Sequence, residues 1–341
     1  MAERSQRAGI PIAKVDLETI EPRDRFEAWH DTMRPVYDAG PIGAPQSFQG
    51  RMDVARPADL MLFRGAYTPQ ICTRTSRHAD DSDHFQLVFY QRGGLAGSRT
   101  GTPFQVIPDR IALCDFGRPH DAVVSAPSEL MVAAIPRSYI DVSKVADRPT
   151  ICWSTNSAAG RLLVGALQTL WEVVDLQLED EAAESTAGLT GLINGVLGAR
   201  RQRQDPRLVG RVCLSTIQRY INDHLHRPDL KATTIGRVFG CSRSQLYRLF
   251  REFGGVDTYI RQRRLDRCCL ELAAATHRPL RVGPIAERWG FRDPSHFHRL
   301  FKQRFGVRPS DVLASGAHPG GHNGDTRNRV ADNIDTWIRA L

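Results

Sequence analysis

The sequence predicts an α+β chain in three parts: an N-terminal β-barrel or sandwich, a pair of helices, and an all-α C-terminal domain holding two helix-turn-helix units. Three observations carry this prediction. Residues 47–140 break into short β-like runs separated by Gly, Pro and Asp. Residues 157–200 hold two segments with apolar residues at three- and four-residue spacing. Within residues 230–313 one pattern occurs twice, which marks a repeated structural unit.

Taken in order, residues 1–15 are polar and basic and are expected to be mobile. A helix follows over 22–33, with Phe26, Trp29 and Met33 on one face. Strands are expected at 48–54, 60–67, 70–77, 85–91, 97–104, 110–115, 122–124 and 130–135, a spacing that suits a sandwich or open barrel. In the helical pair, Leu162, Leu163, Ala166, Leu167, Leu170, Trp171 and Val174 form the apolar face of the first helix, and Leu189, Leu192, Ile193, Val196 and Leu197 that of the second. The second helix also carries Gly188, Gly191, Gly195 and Gly198 on one stripe. Each glycine weakens a helix by about 1 kcal/mol relative to alanine, so the stripe calls for a close helix contact, across a dimer or onto the barrel. Arg200 to Pro206 reads as an exposed linker.

The repeat comes next. Ile235 and Gly240 stand 50 positions before Ile285 and Gly290, while Arg248, Leu249, Phe250 and Gly255 stand 51 before Arg299, Leu300, Phe301 and Gly306. Each copy is a short helix stopped by a glycine, then a capped second helix. Ser242 with Gln245 fits a capping box; Asp293 caps the other, with Pro294 at the first helical position. Leu246, Leu249, Phe250 and Phe253, and in the second copy Phe297, Leu300, Phe301 and Phe305, define buried stripes. The opposite faces carry Arg243, Ser244, Gln245, Tyr247, Arg248 and Arg251, and Ser295, His296, His298, Arg299 and Lys302. Arg pairs bidentately with guanine and Gln with adenine, and Lys and Arg neutralise phosphates, so these faces suit a DNA groove. Arg261, Arg264 and Arg292 are candidate phosphate contacts, and Arg263 and Arg267, near the start of a connecting helix over 258–275, also read as phosphate contacts. A basic solvated face is the alternative for one such helix, but an idle surface has no reason to repeat.

Charge agrees. The chain has a net +8, yet residues 206–313 hold 21 Lys and Arg against 9 Asp and Glu, leaving +12 there and −4 elsewhere. Seven cysteines show no C-x-x-C pair, which indicates neither a zinc site nor a disulfide framework. No apolar run approaches the ~18 residues of a membrane span and no signal-peptide pattern opens the chain, so a reducing cytoplasm is the expected compartment. The tail from 315 is polar and expected to be disordered, ending in a short apolar stripe of Ile334, Trp337, Ile338 and Leu341.

Residues 214–313 resemble the DNA-binding domain of the AraC/XylS family of bacterial transcription regulators. The matching marks are Ser242-x-x-x-Leu246-x-x-x-Phe250, Arg264-Leu265, Ile285-Ala286, Gly290-Phe291, and the run Ser295-x-Phe297-x-Arg299-x-Phe301-Lys302-x-x-Phe305-Gly306-x-x-Pro309-Ser310. Gly236, Cys268 and Lys231 depart from the usual residues and point to a first unit less stable than the second. The stretch 104–115 resembles the strand-turn-strand of cupin-like sensor domains. The resemblance implies a ligand-responsive regulator, a homodimer paired through 157–200, that activates a neighbouring catabolic promoter with RNA polymerase as partner. It divides the chain into a sensor at 1–156, a dimerisation segment at 157–200, a linker at 201–207, the DNA-binding domain at 208–314 and a tail at 315–341.

A barrel of this kind encloses one small ligand. Arg74, Arg77, Phe85, Phe89 and His120 are the candidate lining, and a half-buried Arg favours an anionic effector; the plain alternative places the arginines on the surface and the aromatics in the core. His78, His84 and His120 stand singly, without the clustered His and carboxylate of a metal-binding cupin, so no metal, cofactor or catalytic residue is expected. The rival readings are a cupin-type enzyme with an attached DNA-binding module and a ligand-independent dimeric DNA-binding protein.

Overall fold

The computed structural model describes residues 9–316 apart from residues 82, 100, 146–147, 203–213 and 275–280. The described chain begins with β1 (Ile12–Asp16), α1 (Arg25–Met33), β2 (Asp38–Pro41), β3 (Gly50–Ala55), β4 (Met61–Tyr67), β5 (Gln70–Arg74), α2 (Ser76–Asp81), β6 (His84–Arg92), β7 (Leu95–Arg99) and β8 (Thr102–Val106). It continues through β9 (Arg110–Asp115), β10 (His120–Val124), β11 (Ser128–Pro136), α3 (Val142–Val145) and β12 (Thr150–Ser154). The strands form two antiparallel sheets, β1-β3-β4-β11-β6-β9-β12 and β2-β5-β10-β7-β8, stacked as a sandwich.

Most strands fall where expected, and the departures have local causes. Residues 12–15, expected to be mobile, pair with β3 together with Asp16, from Ile12↔Ala55 to Asp16↔Arg51, because Val15 and the following Leu17 bury against the core. The run 97–104 is a hairpin of β7 and β8, with Gly101 at φ +77° between them. The stretch 70–77 stops as a strand at Arg74 and turns into α2.

The large sheet is buried on both faces. Toward the other sheet it presents Val54, Met61, Phe63, Val88, Tyr90, Val132 and Ala134, closed at one end by Trp29 and Met33 of α1. Its outer face, with Leu62, Phe85, Leu87, Leu113 and Ile135, is covered by α4 (Ala158–Val173) and α5 (Glu179–Gln202). Leu163, Leu167, Leu170, Trp171, Leu189, Ile193 and Leu197 supply the helical side, and the Trp171 indole donates to the Phe63 carbonyl at 3.2 Å. α5 runs on to Gln202, into the expected linker, whose remainder lies outside the described residues.

The C-terminal part is all helical: α6 (Leu214–Asp223), α7 (Ala232–Phe239), α8 (Arg243–Leu249), α9 (Val256–Ala273), α10 (Val282–Arg288), α11 (Pro294–Phe305) and α12 (Pro309–Gly316). Ile217, Ile221, Ile235, Leu246, Phe250 and Tyr259 form the core of the first unit. Leu265, Cys268, Leu272, Ile285, Phe297, Phe301 and Phe305 form the second, and Ile71 and Val123 from the small sheet, with Ile42 just after β2, join it. The sandwich and the helical part therefore share a core, which the sequence does not announce. Residues 317–341, including the apolar stripe of the tail, lie outside the described residues. Among the described residues no helix is long and apolar enough to cross a membrane.

Candidate nucleic-acid interface and sensor cavity

The two helix-turn-helix units are built by their caps. α7 ends at Gly240 (φ +62°) and α11 at Gly306 (φ +76°), while Gly290 (φ +84°) follows α10, each in the left-handed conformation that glycine takes without strain. Ser242 Oγ accepts the Gln245 amide at 3.2 Å, and Gln245 Oε1 accepts the Ser242 amide at 2.8 Å, closing the capping box of α8. Asp293 Oδ1 accepts the His296 amide at 3.1 Å, with Pro294 opening α11. Lys231 provides no side-chain cap for α7, as its chemistry implies. At Gly236 a Cβ would lie 2.7 Å from the Cys241 carbonyl, which explains glycine there: the first turn is one residue shorter than the second and closes tightly over it.

With Leu246, Phe297, Phe301 and Phe305 buried inward, the opposite faces are turned out. Arg243, Ser244, Gln245, Arg248 and Arg251 are exposed on or beside α8; Ser295, His296, His298, Arg299 and Lys302 are exposed on α11, with Arg292 just before it. Arg261 and His296 line one groove between the two units, with Phe291 and Leu300 as its apolar floor.

Several expected contacts are placed otherwise. Gln245 spends its carbonyl oxygen on the cap, so bidentate pairing with adenine is unavailable while the box is closed. Tyr247 is half-buried: its hydroxyl donates to Asp257, and the Arg243 guanidinium lies 5.5 Å from its ring. Arg264 turns inward, donating from Nε to the Leu225 carbonyl at 2.9 Å and from an Nη to the Arg227 carbonyl at 2.7 Å, against Gly290. It ties the two units together instead of reaching a phosphate. Arg263 is buried against the sandwich, its Nη2 donating to the Gly97 carbonyl, and Arg267 is half-buried.

Between the sheets lies a cavity of about 80 Å³. Apolar side chains dominate its lining, with Trp29, Val88, Phe116 and Leu130 among them. Arg99 and His120 line it, as do Gln86 and three tyrosines, Tyr37, Tyr67 and Tyr90. The Tyr67 and Tyr90 hydroxyls are 3.0 Å apart. A dry cavity of ~150 Å³ accepts benzene, so a one-ring ligand enters this one only as side chains shift.

Of the five expected lining residues, His120 lines the cavity. Arg74 is buried beside it but donates to the carbonyls of Phe116 at 2.7 Å, His78 at 2.8 Å and Val36. Burial and neighbouring Arg99 pull its pKa down to about 10, which leaves it charged at neutral pH. Arg77 is exposed, outside the lining. Phe85 and Phe89 face α4 and α5, because alternation along β6 sends Gln86, Val88 and Tyr90 to the cavity. Sequence reasoning missed Arg99 because it read 97–104 as one strand. Arg99 donates from one Nη to the Pro149 carbonyl at 3.1 Å and to Thr150 Oγ1 at 2.9 Å; its other Nη lies 3.4 Å from His120 Nδ1.

Burial, then Arg99 and Arg74, push the His120 imidazole well below its ordinary value. The unfolded chain therefore takes this proton first, near ~6.5, while the folded chain does not. Stability is full above about pH 6.5 and falls as pH drops below it, by at most ~1.4 kcal/mol per unit. Urea midpoints from pH 7.5 down to 5.5 should fall more steeply for the natural chain than for His120→Gln; equal slopes would refute this.

Among the described residues no group of His, Cys, Asp and Glu is arranged to hold a metal ion. A helix-turn-helix domain model matches residues 235–315 and an AraC-binding-like domain model matches residues 35–198. The chain is 27% identical over 334 residues to the transcriptional activator NphR of Rhodococcus sp, covering 91% of this chain and 96% of that one. The solved structure of the AraC-like transcriptional activator CuxR superposes with a TM-score of 0.51 at 20% identity, over 78% of this chain and 96% of that one.

Proposed function

This chain belongs to the AraC/XylS family of transcription regulators, and on that premise we infer that it is a dimeric, effector-responsive activator that works by binding DNA and not by catalysis. The observation that carries the reading is the pair of capped helices α8 and α11, each with an aromatic inner face and an exposed polar and basic outer face. Arg243, Arg248, Arg251, His296, His298, Arg299 and Lys302 are the proposed groove contacts, with Arg261 and Arg292 on phosphates. Arg248 and Arg299 are the proposed base readers. The two helices would enter successive major-groove segments about one turn, or ~34 Å, apart. Similarity to the transcriptional activator NphR supports activation; RNA polymerase at a promoter is the proposed partner and the cytoplasm the proposed compartment.

The effector is a small anion held by Arg99 and His120 against the apolar lining of the cavity. The division proposed for the chain is a sensor at 1–156, a dimerisation pair at 157–200, a linker, and a DNA-binding domain at 208–314. Selection from a random duplex pool at moderate salt tests the core of the reading. Two short enriched blocks about one turn apart are expected, and no enrichment by the folded chain, with or without small carboxylates, would refute it.

Dimerisation has its own support in α5. A Cβ at Gly188, Gly191 or Gly195 meets nothing within 4 Å, so these three positions face open space and not the sandwich, while one at Gly198 would meet the Lys144 side chain of α3; Leu162 of α4 is exposed. Gly191→Leu should leave the monomer folded, since the position is open, yet weaken the dimer on the order of ten-fold, about 1.4 kcal/mol. Sedimentation equilibrium reads this directly; an unchanged association constant would place the pairing surface elsewhere.

A further inference from the structure

The cavity and the second outward-facing helix are joined by one run of polar contacts. Arg99 and His120 stand opposite each other in the register of β7 and β10. Ser98, next to Arg99 on β7, lies 3.5 Å from the amide nitrogen of Asn222 on α6. The Gly97 carbonyl accepts Arg263 Nη2 of α9 at 2.9 Å. The same nitrogen lies 3.4 Å from Asn222 Oδ1, and Arg263 Nη1 donates to Asp266 at 3.2 Å. Asp266 in turn accepts Arg304 Nε, from the last turn of α11, at 2.7 Å.

Two features make this run a junction and not inert packing. First, Arg263 and Asp266 are 5% and 1% exposed, so every change in their geometry is felt in a low dielectric. Second, the run is not fully satisfied. Asp266 serves two guanidinium groups, and the buried Nε of Arg263 has no acceptor among the described residues. A buried polar network rigidifies its surroundings when every member is satisfied, and this one is short of a partner. β7 is tied to β10 along the ladder from Ala96↔Val123 to Arg99↔His120, and the two strands approach closely at Gly97, where a Cβ would lie 2.2 Å from the Asp121 carbonyl.

We propose that Arg263 is a positioning residue that transmits the state of the sensor cavity, through β7, to Asp266 and Arg304 and so to the set of α11 against the first unit. The proposal rests on the DNA-binding reading above. A ligand that draws Arg99 and His120 together moves β7, the Gly97 carbonyl moves relative to Arg263, and the shared carboxylate redistributes between Arg263 and Arg304.

A double-mutant cycle tests it with DNA alone as the probe, using the duplex recovered by selection and the full-length chain. Arg99→Met should change duplex affinity on the order of ten-fold in the natural background and less than about two-fold in Arg263→Met. Lys302→Ala should weaken binding equally in both, and Arg263→Lys should recover part of the response. Equal effects of Arg99→Met in both backgrounds, or none in either, would overturn the relay. If Arg99→Met does not fold, His120→Gln replaces it. If the natural chain binds no duplex, the DNA-binding reading fails, and the relay is judged by hydrogen exchange of residues 294–305 without DNA. Protection there should respond to the cavity substitution only where Arg263 is present; a response independent of Arg263, or no response, overturns it.

Discussion

Asp266→Ala should destabilise the helical C-terminal part by about 3–5 kcal/mol, the largest stability loss expected from any single substitution considered for this chain. The reason is charge accounting in a buried place. Asp266 is 1% exposed and is bonded to Arg263 at 3.2 Å and to Arg304 at 2.6 and 2.7 Å. Its removal leaves two guanidinium groups with no shared anion, one of them already carrying a buried Nε with no acceptor among the described residues. Breaking a buried pair in this way costs far more than the pair contributes when intact, because the uncompensated charge stays buried. Asp266→Asn keeps the volume and one acceptor and should lose less. Urea unfolding followed by circular dichroism reads both, and a midpoint unchanged in Asp266→Ala would mean that water already compensates these cations.

What the sequence revealed and what it hid follow from the range of the forces. Caps and turns depend on residues two to four positions apart, so Ser242 with Gln245, Asp293 with Pro294, and Gly240, Gly290 and Gly306 all sit in the conformations their chemistry requires. The apolar stripes of α8 and α11 are legible for the same reason, since one face is in and the other out. β6 is different. With both faces buried, His84, Gln86, Val88 and Tyr90 look no more internal than Phe85, Leu87 and Phe89, and alternation alone does not say which set meets the cavity. A one-residue error of parity therefore exchanged the cavity lining for the helix-facing core. Arg263, Arg264 and Arg267 mark a second limit. As a basic run on a helix they read as phosphate contacts, yet Arg263 and Arg264 are turned inward by packing between elements far apart in sequence, and Arg267 is half-buried. Arg99 was hidden because a hairpin was read as one strand.

The same distinction decides how sharply binding should depend on the remaining arginines. Arg248 of α8 and Arg299 of α11 are exposed and stand 51 positions apart, at matched places in the two copies. None of the packing that locks Arg263 or Arg264 holds them, so their forks are free to pair with guanine. Each substitution to alanine should cost about 1–3 kcal/mol of duplex affinity and relax discrimination at one block only. The two sites lie on separate units without a shared partner, so their effects should add. Arg248→Ala combined with Arg299→Ala should lose about 2–6 kcal/mol, leaving salt-dependent nonspecific binding. Anisotropy titrations against duplexes mutated in each block measure this. Loss of affinity without loss of discrimination would demote both residues to phosphate contacts. Strong non-additivity, with the fold intact, would mean instead that the two units engage DNA as one rigid body through Arg264 and its ties to Leu225 and Arg227.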